Sequence, residues 1–118
     1  MLFEILANGR AGQIGLSDLP GCELGWIHSL MVEAGHQRRG IAYKAMIRLV
    51  MGQEHSGYLL YVRSKNFACQ GLIKKLGGYR LNQDKNIWIW YPNREDLKAM
   101  DTGIILLNRL NEDEGRIK

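Results

Sequence analysis

The sequence predicts an α/β (α+β) domain, a mixed and mostly antiparallel sheet with flanking helices, and three observations predict it. Trp26 to Val32 is an apolar run of strand length, after which Ala42, Ala45, Met46, Leu49 and Val50 recur at helical spacing. Tyr58-Leu59-Leu60-Tyr61-Val62 follows that helix as a continuous aromatic and β-branched run, suited to a buried strand. Reached by a helical crossover, it is expected to lie parallel to the first strand. Asn8-Gly9 stands between two short apolar segments, and a tight hairpin prefers that pair because both positions tolerate positive φ.

The elements follow in order. Phe3, Ile5 and Ala7 alternate along the first strand, Leu2 to Ala7, and Ala11 to Leu16 is the return strand. Leu19-Pro20-Gly21 ends it and leads into the central strand. The helix from Ile41 is expected to stop near His55-Ser56-Gly57. A second helix runs from Phe67 to Leu76 with Asn66 as its N-cap, and Gly77-Gly78 ends it. Tyr79 to Leu81 and Asn86 to Tyr91 form a last hairpin around Asn82-Gln83-Asp84-Lys85, with Trp88 and Trp90 sharing one face. Pro92 closes the sheet. Leu97, Met100, Ile104, Leu107 and Leu110 or Asn111 recur at helical spacing, predicting a C-terminal amphipathic helix over 93–118. It is expected to pack on the domain of residues 1–92 or to pair two subunits; residues 112–118 are expected to fray.

At 118 residues the chain is long enough for one core. With 46% hydrophobic and 24% charged residues it sits in the globular range. No run approaches the roughly 20 apolar residues of a membrane span, and no signal-peptide layout opens the chain. Cys22 and Cys69 make neither a disulfide framework nor a zinc site, and no metal is expected. Cytoplasmic localisation is the expectation. A net charge of +4 and a pI near 9.2 favour an anionic partner.

The chemistry concentrates between the central strand and its helix. Gln37-Arg38-Arg39-Gly40-Ile41-Ala42 places small residues where a helix begins, and the first amides there have no partner inside the helix. A pyrophosphate suits such a site. Gly40 lets the backbone approach a phosphate closely, and a small Ala42 keeps the way clear. The bland alternative is a turn glycine beside a solvated arginine pair.

The Gln-Arg-Arg-Gly-Ile-Ala segment resembles the acetyl-coenzyme A loop of the GCN5-related N-acetyltransferases, whose pattern is Gln/Arg-x-x-Gly-x-Gly/Ala. His28-Ser29-Leu30-Met31-Val32 is similar to the preceding strand in the arylalkylamine branch. Asn66, Ala68 and Leu76-Gly77-Gly78-Tyr79 resemble the family's second signature. The resemblance covers Phe3 to Tyr91. It implies a sheet splayed at its centre with pantetheine in the gap, and acetyl-CoA as cosubstrate. It assigns that cosubstrate to Leu30, Met31, Val32, Gln37, Arg38, Arg39, Gly40, Ile41, Ala42 and Asn66. The strand and helices that usually open the family's domain and wall the acceptor pocket have no counterpart in these residues.

Acetyl transfer to an amine needs an oxyanion donor, and a bulged central strand offers a backbone amide near Leu30 or Val32, worth about 3 kcal/mol. It needs a base, for which His28 is the first choice because its ordinary pKa lies near working pH, with Glu33 and Glu23 as alternates. The family often protonates the leaving thiolate with a tyrosine seven positions after the asparagine. Ile73 stands there, which leaves Tyr79 or no enzymatic acid. Three readings follow. The first is an N-acetyltransferase working by direct attack in a ternary complex on a primary amine, a macromolecular one such as a protein lysine included, as a monomer or homodimer. The second is a degenerate member that binds coenzyme A or a protein. The third is a basic nucleic-acid-binding or nucleic-acid-modifying protein built on Lys44, Arg48, Arg63, Lys65, Lys74 and Lys75.

Overall fold

The computed structural model describes residues 1–37, 39–82, 84–98, 100 and 102–108. Its strands are β1 (Leu2–Leu6), β2 (Arg10–Asp18), β3 (Leu24–Val32), β4 (Gly57–Tyr61), β5 (Tyr79–Asn82), β6 (Ile87–Trp90) and β7 (Ile105–Asn108). Helix α1 (Ile41–Met51) joins β3 to β4, α2 (Phe67–Lys75) joins β4 to β5, and a short α3 (Arg94–Lys98) follows β6. Together the strands form one seven-stranded sheet in the order β5-β6-β4-β3-β2-β1-β7. Its pairs are antiparallel except β3–β4, the parallel crossover that the sequence predicts. No helix among the described residues is long and apolar enough to cross a membrane, and none of their side chains cluster as metal ligands.

One face of the sheet is the core. Ile5, Ile14, Leu16 and Ile27 meet Ala45, Met46, Leu49 and Val50 of α1, while Tyr58, Leu60, Trp88 and Trp90 continue the layer. Burying an apolar side chain of this size is worth about 1.5–3 kcal/mol, so these contacts, rather than helix propensity, hold α1 in place. At the base of the sheet Arg94 donates to the carbonyl oxygens of Val50 and His55 and to the Tyr58 hydroxyl, satisfying the end of α1 and the entry to β4. Burial raises the Tyr58 pKa, with Arg94 opposing.

Two irregularities shape the centre. The parallel pairing runs from Leu24↔Gly57 to Trp26↔Leu59 and no further, although β3 continues to Val32. Beyond Trp26 the two strands part, which is the splay implied by the resemblance. Between the pairs Gly15↔His28 and Gln13↔Met31, Ser29 and Leu30 stand opposite the single residue Ile14. That is a β-bulge, and Ser29 takes the left-handed backbone it requires, at φ 55°.

The C-terminal segment departs from expectation. Instead of one amphipathic helix over 93–118, the chain makes the five-residue α3, turns at Gly103 (φ 64°) and returns as β7 beside β1, from Phe3↔Asn108 to Leu6↔Ile105. The physical reason lies in Ile104-Ile105-Leu106-Leu107, which also satisfies a period of two: Ile104 is buried and Leu106 half-buried, while Ile105 and Leu107 face outward. The free edge of β1 offers these residues backbone hydrogen bonds that an isolated helix turn cannot match. Leu110, Asn111 and the expected fraying over 112–118 lie outside the described residues.

Candidate active site

A groove of about 700 Å³ lies between the bulged end of β3 and helices α1 and α2. Leu30, Met31 and Val32 from the bulged end of β3 form one wall. Gln37, Gly40, Ile41, Ala42 and Tyr43 form the second, at the start of α1. Asn66, Ala68, Cys69, Leu72 and Lys75 bring in α2. Eight of the ten residues assigned to the cosubstrate are therefore gathered along one concave surface. Arg39 stands apart, beside Lys44 in a smaller hollow toward Gly103 and Ile104. Arg38 lies outside the described residues.

The start of α1 has the polarity that an anion needs. Gly40 is its N-cap in the left-handed conformation (φ 71°, ψ 18°), and no side chain caps the helix among the described residues. The Gly40 carbonyl accepts the first helical bond, from the Lys44 amide at 3.0 Å. The amides of Ile41, Ala42 and Tyr43 thus have no partner inside the helix, and these residues line the groove at the positive end of an 11-residue helix. A Cβ on Gly40 would meet nothing within 4 Å, so any side chain there projects into open space at the mouth. Gln37 is committed to the scaffold, its amide donating to the Val32 carbonyl at 3.1 Å. Asn66 caps α2, its side-chain oxygen accepting from the Cys69 amide at 3.1 Å. Cys69 is half-buried, and burial raises its pKa, which favours the thiol.

The three proton-transfer candidates are not gathered in the groove. His28 sits on the opposite face of β3, its ring across Gly15 of β2. Its Nε2 is 3.0 Å from Ser17 Oγ and its Nδ1 2.9 Å from Ser29 Oγ. Burial, and secondarily the chain-terminal ammonium, lower its pKa, favouring the neutral imidazole that a base must offer. Glu33 is held by Arg10, which also bonds Glu4 at 2.6 Å. Tyr79 is 53% exposed on the edge strand β5 and takes no part in lining the groove. Glu23, the other alternate base, lies in a separate polar hollow with His55. Ile73 is fully buried.

Sequence reasoning placed Asn66 at the groove but missed Cys69, Leu72 and Lys75 of the α2 wall and its tie to α1. Lys75 Nζ lies 4.6 Å from the Tyr43 ring centroid, a cation–π contact between the two helices. Cys69, Leu72 and Lys75 recur at every third position, and that spacing carries no signal of a groove, because the same stripe suits a core-facing helix.

The sequence pattern of the acetyltransferase (GNAT) family matches residues 6–78, more than half of the chain. The protein belongs to the GNAT acetyltransferase family. Its fold is similar to that of a GNAT-family acetyltransferase from Staphylococcus aureus, with a TM-score of 0.64, 16% identity, and coverage of 76% of this chain and 66% of that one. It is also similar to the ribosomal-protein-S18-alanine N-acetyltransferase of Escherichia coli (TM-score 0.61, 18% identity, 77% and 68% covered). Tetrahymena GCN5 gives 0.59 at 22% identity, with 79% and 68% covered. The chain thus spans about two thirds of the length of these structures. No curated protein matches it.

Proposed function

We propose that the protein is an N-acetyltransferase that transfers the acetyl group of acetyl-CoA to a primary amine by direct attack. The single observation that carries this is the uncapped start of α1, with Gly40 in the left-handed conformation, opening onto the groove beside the bulged end of β3. In this reading the amides of Ile41, Ala42 and Tyr43 hold the coenzyme's pyrophosphate and the pantetheine arm follows β3. Its thioester carbonyl comes to the bulge at Ser29–Leu30, where a backbone amide freed from the ladder stabilises the developing oxyanion.

The amine approaches from the His28 face. Its nitrogen attacks the thioester carbon, its proton passes to His28 directly or through a hydroxyl or water, and the C–S bond breaks. Tyr79 is placed as an edge residue and Ile73 carries no proton, so the thiolate leaves unassisted. A thiol pKa near ~8.5 makes that feasible. A coenzyme-binding member without turnover is the second reading, favoured by Tyr79 being exposed and not among the residues that line the groove.

Gly40→Trp fills the mouth of the groove and strains a left-handed position. The expected outcome is loss of acetyl-CoA binding by calorimetry with the far-ultraviolet circular dichroism of the domain retained. Unchanged affinity in a folded variant contradicts the assignment.

A further inference from the structure

We infer that the acceptor is an amphiphilic amino acid, a primary amine and a carboxylate joined by an apolar body, an inference that rests on the acetyltransferase reading above. On the sheet face away from α1, a second hollow of about 480 Å³ begins at the Trp26–Leu59 pair, where β3 and β4 stop pairing. Trp26, Leu59, Tyr61 and Ile87 give it an apolar floor, and among the described residues its lining contains no acidic side chain. The charged group in that lining is Lys85. The Lys85 backbone is fixed by a bond from its amide to Asn82 Oδ1 at 3.1 Å.

The two ends of the hollow differ in chemistry. At the β3 end the Trp26 ring lies 4.9 Å from the His28 ring, so an occupant's nitrogen there is next to the base. At the other end are Ile87 of β6 and the Lys85 turn. The strand order β3-β4-β6 separates the two ends by two strand spacings, about 10 Å. An amine over β3 and a carboxylate at Lys85, with an apolar body between them, match this arrangement in charge, polarity and length. A polyamine or a basic peptide matches it poorly. Its extra cations find no carboxylate among the described residues of the hollow, lose water without compensation, and face Lys85 in a chain of net charge +4. In the reaction the amine forms the new N–C bond and gives its proton to His28. Coenzyme A leaves as the thiolate, and the carboxylate is unchanged.

The test compares acetylation of 8-aminooctanoate, octylamine and spermidine by the intact protein, following thiol release, with acetyl-CoA affinity measured separately by calorimetry. The expected kcat/KM for 8-aminooctanoate is at least tenfold above octylamine, with spermidine slower still. Lys85→Glu should reverse the order of the first two, and Trp26→Ala should raise KM for both about tenfold, each leaving acetyl-CoA affinity unchanged. Spermidine as the best substrate, a Lys85→Glu variant with an unaltered preference, or a protein that binds acetyl-CoA yet acetylates none of the three overturns the inference. Absence of acetyl-CoA binding instead removes the acetyltransferase reading on which it stands.

Discussion

Gly15 carries no side chain where the His28 ring crosses β2, and a Cβ there would fall against the imidazole. The ring is thereby brought down onto the sheet, between two serine hydroxyls and beside Trp26. Its pKa falls below the usual 6.5 through burial first and the terminal ammonium second. Folded protein consequently binds fewer protons than unfolded protein between the two pKa values, so His28 lowers stability as pH falls through about 6.5 toward its folded value, and its contribution levels off below that. The acid limb of the rate profile should reflect the same group, with kcat/KM falling at a pH below 6.5. In His28→Gln, transfer should drop on the order of 100-fold and that limb should disappear. A variant that keeps both the rate and the limb excludes His28 as the base. Of the individual roles, the N-cap of Asn66 and the helix-opening glycine were legible in the sequence because each depends on its near neighbours. The ion pair that occupies Glu33 was not, since Arg10 reaches it across a strand pairing 23 residues away in the chain.

At the scale of elements, periodicity located β1 to β4, β6, α1 and α2 to within a residue or two at most ends, because each buries one face against a common core, although α1 stops at Met51, ahead of the expected His55-Ser56-Gly57. The splay and the bulge are absent from any local pattern. Both are properties of how neighbouring strands pair, and β3 reads as one segment of strand length whether or not it is bulged. The segment 104–107 fits both periods, and the vacant edge of β1 decided between them. Helix α2 supplies one side of the groove, and its first turn depends on the Asn66 cap. Asn66→Ala should cost about 1 kcal/mol of stability, read as a lower urea midpoint with an unchanged slope. It should also weaken acetyl-CoA several-fold as the α2 wall frays. An equal urea midpoint would show that the cap holds nothing.

Across the whole molecule, a single sheet keeps two different surfaces apart at one seam. Toward α1 and α2 the parted strands present helix amides and a groove suited to a long anionic ligand. Toward the other face they present His28, Trp26 and an apolar hollow. Direct transfer between two bound molecules, as proposed, requires an acyl group held at the seam to be reached from both surfaces. The net charge of +4 adds long-range attraction for an anionic ligand such as the proposed cosubstrate. The most direct measurement of this account is a titration of isotopically labelled protein with acetyl-CoA, following each backbone amide by nuclear magnetic resonance. The largest shifts are predicted at Gly40 to Tyr43 and Leu30 to Val32, saturating together with one affinity. Shifts confined to the Trp26 face, or none at Gly40 to Tyr43 at saturating ligand, would contradict it.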